Sequence, residues 1–257
     1  MSKVGRCQIV SDPEVKLADI FTNGNANGKA NGKVYPSPES AIYDVTEGAS
    51  VLIAGFGGQG TPEGLIRALQ AKGVGNLTCI CQGAWPGHPE MVDVATLVAS
   101  GQVRRLVSPL AFYPGDGGVI EERWKSGDLE IEAVPQGVLA ERLRAGGAGL
   151  GGVFLPDSLG TRFQQGKPAR RFGEKDQEKD HVFEIALRPD FALLRASASD
   201  TLGNLIFQGT QRGWNPVMAM AGLVSIAEVD QVLEPGGIDS ERVITPGIFV
   251  NRVVQAV

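Results

Sequence analysis

The clearest structural signal in this chain is the segment Ser50-Val51-Leu52-Ile53-Ala54-Gly55-Phe56-Gly57-Gly58-Gln59-Gly60-Thr61-Pro62. An apolar run leads directly into four closely spaced glycines, which predicts a buried strand followed by a tight turn. Thr61 is suited to cap the next helix, and Pro62 to occupy its first position, where a missing N–H costs nothing. Such a turn lets the backbone approach a ligand closely and directs free N–H groups at an anion or a carbonyl oxygen.

The same glycines also fit a dinucleotide-binding fingerprint. The Gly-x-Gly-x-x-Gly spacing that begins at Gly55 satisfies it, but this spacing alone is a weak signal. A dinucleotide site also needs an Asp or Glu at the end of the second strand, about 20 residues further on, to hold a ribose hydroxyl. The predicted second strand is 77–81, and no acidic residue lies between Glu63 and Glu90. Binding of NAD is therefore disfavoured.

Strand-like and helix-like segments alternate along the rest of the chain, which is typical of a parallel sheet with crossover helices. Helices are predicted at 61–72, 89–100, 118–125 and 136–145, the last ended by Gly146 and Gly147. Strands are predicted at 77–81, 103–108, 129–134, 152–155, 182–186, 191–196 and 223–229. We expect an α/β fold with an open, mainly parallel sheet and flanking helices.

The domain organisation follows from composition along the chain. Residues 37–257 are expected to form one α/β domain, because only short loops join its units. Residues 1–36 are expected to form an N-terminal extension with an Asn/Gly-rich segment at 22–33, which cannot bury apolar surface and is predicted to be a loop. The charged segment 164–180 is predicted to be a surface excursion between strands.

Overall composition limits the classes of protein to which the chain can belong. Its 257 residues are 42% hydrophobic and 21% charged, as expected for a globular domain with one substantial core. A net charge of −5 without a Lys/Arg-rich run disfavours nucleic-acid binding. We expect no signal peptide or membrane span, and therefore a cytoplasmic location. Cys7, Cys79 and Cys81 lack metal-ligand spacing, and the last two are expected to be small buried hydrophobes on one face of a strand.

Motifs along most of the chain occur in an order known from one protein family. The segment from Glu47 to Pro62 is similar to a motif of Asp/Asn-Gly, two residues, three apolar residues and Gly-Gly-Phe-x-x-x-Gly-x-Pro. Glu47 and Ala54 replace two of its residues. Further matching blocks are 129–137, 190–196, 200–205, 218–221 and 245–250. Together these motifs resemble the alpha subunit of family I CoA-transferases, and most closely that of the 3-oxoacid and 3-oxoadipate CoA-transferases.

This resemblance implies an enzyme subunit that exchanges CoA between an acyl-CoA, such as succinyl-CoA, and a carboxylic acid of a 3-oxo, dicarboxylic or aromatic type. The family's route is ping-pong, through a glutamyl-CoA intermediate that divides one difficult exchange into easier steps. The nucleophilic glutamate is expected on a beta subunit, in a Ser-Glu-Asn-Gly-like motif that this chain lacks. The resemblance therefore implies a beta-subunit partner in an α2β2 heterotetramer, no catalytic side chain here, and no cofactor or metal beyond the CoA thioester substrate.

The glycine turn is the predicted binding element for the reacting group. Backbone N–H groups at Gly57, Gly58, Gln59 and Gly60 are expected to hold an acyl carbonyl or carboxylate oxygen while charge develops on it. The alternative is that the glycines serve turn geometry alone. If the N–H groups contact the ligand, Gly57→Val or Gly60→Val should abolish turnover without unfolding the complex.

Two further segments are predicted to contact the substrate. Where relatives carry an Asn-rich run followed by Ala-Gly, this chain reads 81–85, which makes Gln82, Gly83 and Trp85 candidate contacts. The indole of Trp85 favours an acid with a ring or a bulkier apolar end, unless it faces the partner subunit. Gln136 and Gly137 follow another strand at its carboxyl end, where open α/β sheets place ligands. Gln136 is expected either to donate to the substrate or to cap the following helix.

Two other functional classes are compatible with this sequence. In a CoA-thioester hydrolase or a ring-cleaving hydrolase on the same scaffold, water would replace the acceptor carboxylate. A non-catalytic subunit would only bind acyl-CoA or regulate a partner. The partner's sequence would discriminate between transfer and hydrolysis, because a Ser-Glu-Asn-Gly-like motif there favours transfer and its loss favours hydrolysis.

Overall fold

The computed structural model describes residues 32–84, 91–115, 118–156, 158–174 and 178–256. Its strands are β1 (Val34–Tyr35), β2 (Ser50–Ile53), β3 (Leu77–Cys81), β4 (Val103–Ser108), β5 (Glu130–Ala133), β6 (Gly152–Leu155), β7 (Ala169–Phe172), β8 (Lys179–Ile185), β9 (Phe191–Asp200), β10 (Leu205–Ile206), β11 (Val224–Leu233) and β12 (Arg252–Gln255). Its α-helices are α1 (Pro38–Ala41), α2 (Glu63–Lys72), α3 (Val94–Ala99), α4 (Val119–Ser126), α5 (Gln136–Gly147) and α6 (Asn215–Ala221).

The main sheet confirms the predicted architecture. Its strands follow the order β1-β12-β11-β9-β2-β3-β4-β5, and every neighbouring pair along this path is parallel. The short β10 adds an antiparallel partner to β9. In the centre of the sheet, Ile53 of β2 is paired with Cys81 of β3 and with Leu193 of β9. The turn that follows β2 therefore emerges from the middle of the sheet's carboxyl edge, where open α/β sheets place ligands.

Helices cover both faces of this sheet, and β2 is buried on both sides. Val51 and Ile53 pack in one core cluster with residues of α1 to α4, whereas Leu52 packs in the opposite cluster with residues of α5 and α6. This alternation is the period of two that a strand imposes. Each fully buried aliphatic side chain contributes about 1.5–3 kcal/mol. The two-sided burial fixes the register of β2 and hence the position of the turn after it.

The cysteines of β3 are buried hydrophobes, as predicted. Cys79 and Cys81 lie in the same core cluster and are at most 1% exposed. Burial raises the pKa of both thiols, that of Cys81 to about 12. A thiol with such a pKa stays protonated and is a poor nucleophile. Cys7 lies outside the described residues.

A second, smaller sheet departs from the expected parallel arrangement. The strands predicted at 152–155 and 182–186 form, but as β6 and β8 of an antiparallel sheet ordered β6-β8-β7. Strand β7 lies inside the segment predicted as a surface excursion. Within this sheet the buried Glu184 bonds to Lys167 at 2.7 Å and to Ser158 at 3.1 Å. The strand pattern predicted the bounds of β6, but β8 begins three residues before the predicted 182 and β7 was not predicted as a strand. The pairing of these strands depends on contacts distant in sequence.

Several helix ends also differ from the predictions. Helix α2 begins at Glu63 with Pro62 at its N-cap and no side-chain cap, so Thr61 does not have the predicted capping role. Helix α5 continues through Gly146 and Gly147, so these glycines do not end it as predicted. Gly146 has a packing role instead, since a Cβ there would lie 1.9 Å from the carbonyl oxygen of Leu187.

The remaining helix predictions are only partly covered by the structure. Helix α3 begins at Val94 with the Asp93 side chain as its cap, later than the predicted 89. Residues 85–90 and 1–31 lie outside the described part of the chain, and the sheet begins where β1 pairs with β12. Within the described ranges, no helix combines the length and apolar character needed to cross a membrane.

Candidate active site

The glycine turn after β2 is a tight two-residue reversal. Phe56 and Gln59 exchange both of their backbone hydrogen bonds, at 3.0 and 3.1 Å. Gly57 and Gly58 lie between them with φ of 58° and 77°. Two successive positive φ values are the geometry of the hairpin turn that twists with the flanking chain, and glycine adopts them without steric cost.

The tip of this turn consists of Gly57 and Gly58. The N–H groups of Phe56 and Gln59 are used across the turn, whereas those of Gly57 and Gly58 have no acceptor among the described residues. A Cβ placed on Gly57 would meet nothing within 4 Å. At Gly58 a Cβ would lie 3.3 Å from the flexible side chain of Met91. A ligand oxygen therefore has open space at Gly57, with Met91 bordering the other half of the tip.

The base of the turn, Gly55 and Gly60, is closely packed instead. A Cβ at Gly55 would lie 2.1 Å from Oγ1 of Thr61, and one at Gly60 would lie 2.4 Å from the carbonyl oxygen of Gln211. Thr61 is itself buried against the turn. Gly60→Val would therefore test packing, and Gly57→Val is the substitution that tests ligand contact.

The N-terminus of helix α2, directly after the turn, is bound by the protein's own groups. Glu228 on β11 is buried and accepts a hydrogen bond from the N–H of Leu65 at 2.8 Å, and one from the N–H of Gly64. The N–H of Glu63 donates to the carbonyl oxygen of Thr61 at 3.0 Å. These bonds occupy the donors that a helix N-terminus would offer to an anion. Among the described residues, backbone donors without an acceptor remain within the turn; those of Gly57 and Gly58 lie at its tip, whereas Gly60 and Thr61, which also keep a free N–H, are buried.

The environment of Glu228 sets its electrostatics. Burial raises the pKa of this carboxyl group, an effect that the bonds from α2 and the charge of Arg195 partly offset. Oε1 of Glu228 lies 3.8 Å from Nη1 of Arg195, and Arg195 also pairs with Asp230. Neither Glu228 nor Arg195 was among the site residues predicted from the sequence. The available signal was an acidic residue inside the apolar run of β11, at 226–229.

Two spaces flank the turn. On the side of β9 and β11 lies a cleft of about 510 Å³, whose walls are formed by the turn, the first helical turns of α2 and the two neighbouring strands. It is lined by Pro38, Gly58, Gln59, Gly60, Thr61, Glu63, Gly64, Arg67, Arg195, Gln211, Glu228 and Ala256. On the side of β3, the described residues Phe56, Cys81, Gly83 and Asp93 border a narrow crevice of about 10 Å³. The crevice has room for at most one water molecule.

The predicted substrate contacts fall into two groups. Gln82 and Gly83 follow β3 beside the turn and are half-buried, and a Cβ at Gly83 would lie 3.1 Å from the Phe56 ring. Gln136 and Gly137 are exposed at the start of α5. They follow β5, the third strand from β2, which places them about 14 Å across the sheet at the usual strand spacing. The structure thus brings the first pair to the turn and not the second, and Trp85 lies outside the described residues.

The chain is similar to known proteins over most of its length. Residues 35–256 match the family model described as coenzyme A transferase. The A subunit of the 3-oxoadipate CoA-transferase of Pseudomonas putida is 41% identical over 222 residues, which cover 86% of this chain and 93% of that protein. The A subunit of the probable succinyl-CoA:3-ketoacid coenzyme A transferase of Bacillus subtilis is 38% identical over 223 residues, covering 87% and 90%.

A solved structure supports the same relationship. A variant of the decarboxylase AibA/AibB superimposes with a TM-score of 0.70 at 27% identity, covering 88% of this chain and 84% of that one. The match to the family model and the identity to curated relatives extend from β1 to β12. The chain therefore belongs to the coenzyme A transferase family and is the counterpart of the A subunit of these enzymes.

Proposed function

We propose that this chain is the alpha half of a CoA-transferase that moves CoA from an acyl-CoA, such as succinyl-CoA, to a 3-oxo, dicarboxylic or aromatic-type acid. It does so with a beta subunit in an α2β2 assembly. The observation that carries the proposal is the tip of the glycine turn, whose two N–H groups have no acceptor among the described residues. The names of the A-subunit relatives support a 3-oxo acid as one substrate.

The nucleophile of the proposed reaction is a glutamate of the beta subunit. Its carboxylate attacks the thioester carbonyl and the CoA thiolate leaves, so that an acyl-glutamyl anhydride forms. The thiolate then attacks the glutamyl carbonyl, which releases the first acid and leaves glutamyl-CoA. The second acid reverses these steps and departs as its CoA thioester. Each attack places negative charge on a carbonyl oxygen.

The tip stabilises that charge. The N–H groups of Gly57 and Gly58 have no acceptor among the described residues, and the two Phe56–Gln59 bonds hold the turn that carries them, so they need little rearrangement as the oxyanion forms. Fixed donors of this kind are most effective where water is excluded, which the partner subunit would achieve by covering the turn. Gln82, which follows β3 and is half-buried, is the proposed donor of a side-chain amide hydrogen bond to the transferred acid.

The first experiment identifies the covalent intermediate. The chain is purified with its partner, incubated with succinyl-CoA, reduced with borohydride and examined by mass spectrometry. A CoA adduct or a reduced glutamate on the partner is expected. Accumulation of free CoA without an adduct would reassign the protein as a hydrolase, and an adduct on this chain would overturn the proposed division of labour.

The second experiment tests the tip itself with a matched pair of variants. Gly57 and Gly73 both have positive φ, 58° and 72°, and neither has any atom within 4 Å of the position of a Cβ. Gly57→Val and Gly73→Val should therefore strain the backbone to a similar degree. We expect kcat to fall roughly 100- to 1000-fold in Gly57→Val, the range seen when an oxyanion donor is lost, and to remain near wild type in Gly73→Val. Equal activities would show that the tip is structural only.

A further inference from the structure

Both ends of the glycine turn are tied to one strand. At the entry, the N–H of Ala54 donates to the carbonyl oxygen of Leu193 on β9 at 3.1 Å. At the exit, Nδ2 of Asn215 donates to the carbonyl oxygen of Gly60 at 3.1 Å. Oδ1 of the same side chain accepts the N–H of Arg195, also on β9, at 2.8 Å. The turn is thus anchored at two points that are two residues apart on β9.

The Asn215 side chain is buried and hydrogen-bonded within the protein, so it does not contact substrate. It is 1% exposed, and its Nδ2 also donates to the carbonyl oxygen of Gln211 at 2.9 Å. Its amide therefore makes three hydrogen bonds, all of them to backbone groups. A buried polar group that is fully satisfied in this way holds one arrangement of the chain around it.

The contact between Asn215 and the turn leaves no room for adjustment. A Cβ on Gly60 would lie 2.9 Å from Nδ2 of Asn215 and 2.4 Å from the carbonyl oxygen of Gln211, so only glycine allows the backbone this close. The tip ends two residues before Gly60. A shift of the exit would therefore carry the tip with it.

We propose that Asn215 is a positioning residue for CoA transfer: by tying Gly60 to β9, it fixes the direction in which the N–H groups of Gly57 and Gly58 point. This inference rests on the proposed function of the tip as an oxyanion-binding element. Donors stabilise a transition state only when they are aimed at the developing charge beforehand. A displacement of about 1 Å is enough to lower the rate on the order of 100-fold.

Asn215→Asp tests this role with the smallest change in shape. The variant keeps an acceptor for the N–H of Arg195 but replaces the donor toward Gly60 and Gln211 with an oxygen. In the assembled enzyme we expect kcat to fall on the order of 100-fold with little change in either KM. The fall should lessen as the pH is lowered, because a protonated carboxyl group can donate to one of the two carbonyl oxygens again.

Hydrogen exchange provides a readout that needs no turnover. The N–H groups of Phe56 and Gln59 are bonded across the turn, so they report whether the turn keeps its shape. Both should exchange faster in Asn215→Asp than in the wild-type enzyme. Unchanged exchange at these two positions would overturn the proposal.

Ser225→Ala is the matched control. Oγ of Ser225 is buried and donates to the carbonyl oxygen of Ala219 at 2.7 Å, so its loss also removes a buried side-chain bond to the region of α6, but away from the turn. The control should lower the melting temperature without changing kcat or the exchange of the turn. If Asn215→Asp does not assemble, Asn215→Ser replaces it, since the shorter hydroxyl cannot span both Arg195 and Gly60. Activity of the folded Asn215 variant equal to that of the control would refute the positioning role.

The two proposals can fail separately. If wild-type enzyme forms no glutamyl-CoA, the proposed function fails, whereas the exchange measurement still decides whether Asn215 holds the turn. If wild-type enzyme transfers CoA and the Asn215 variants do so equally well, only the positioning role fails.

Discussion

The tip and the base of the glycine turn contain the same residue type for different physical reasons. All four glycines have positive φ, between 58° and 107°. At the base, Gly55 and Gly60 lie so close to Thr61 and Gln211 that a Cβ would overlap them. At the tip, Gly57 borders open space, and a Cβ at Gly58 would meet only the flexible side chain of Met91, at 3.3 Å.

This difference separates packing from ligand contact within one motif. Spacing cannot make the distinction, because a positive φ requires glycine at both places. The atoms around the position that a Cβ would occupy do distinguish packing from ligand contact. Where protein atoms fill that space, the glycine is there for packing, and where nothing fills it, the backbone is accessible to a ligand.

The largest expected effect is on stability, in Gly60→Ala. The new Cβ would overlap the carbonyl oxygen of Gln211 and force a strained φ, so the free energy of unfolding should fall by about 2–5 kcal/mol. Gly57→Ala carries only the cost of the positive φ, about 1–2 kcal/mol. Urea unfolding at a fixed concentration of the assembled enzyme measures both. Equal losses in the two variants would contradict the division into tip and base.

A smaller effect, dependent on pH, is expected from Glu228→Gln beside the base. Burial raises the pKa of Glu228 above its ordinary value of 4.5, so the native state binds this proton more tightly than the unfolded chain does. Stability contributed by this proton is present below pH 4.5 and is lost as the pH rises through the folded pKa. The glutamine of the variant does not titrate, so the variant does not lose stability in this way. Its free energy of unfolding relative to wild type should therefore increase with pH, by about 1.4 kcal/mol per unit of pKa displacement.

Urea unfolding of both proteins across the acidic range measures this difference. If the stability difference between variant and wild type stays constant with pH, the Glu228 carboxyl group is not held in its buried position against the N-terminus of α2. A difference that decreases with rising pH would mean that the bonds from Leu65 and Gly64 outweigh the burial, and that the folded pKa lies below the unfolded one.

The sequence predicted local elements well where short apolar runs end at turn residues. The bounds of β3, β4 and β6 agree with the predicted 77–81, 103–108 and 152–155. The pairing of β6 was not predictable in this way, because the same pattern suits a parallel or an antiparallel neighbour. Gly146 was predicted to end helix α5, but the helix runs through it, and the glycine accommodates Leu187, 41 positions further along the chain.

The candidate site was predictable only where its parts are contiguous in sequence. The turn after β2 was predicted from its glycines, whereas the groups that hold it come from distant segments. Glu228 bonds to Leu65 across 163 residues, and Asn215 bonds to Gly60 across 155. A buried acid in β11 and an asparagine opening α6 are visible in the sequence, but their partners are set by the order of the sheet.

The smallest expected effect separates two glutamines with the same chemistry. Gln82 and Gln136 each follow the carboxyl end of a parallel strand, but Gln82 follows β3, which neighbours β2, whereas Gln136 follows β5, which lies about 14 Å from β2 across the sheet. Loss of one substrate hydrogen bond in Gln82→Ala, about 0.5–1.5 kcal/mol, should raise KM for the acid roughly 2- to 10-fold. Gln136→Ala should change it less, and steady-state kinetics of the assembled enzyme compares the two. A larger effect at Gln136 would mean that the bound substrate extends along the sheet edge to β5, and that the tip is one end of a longer site.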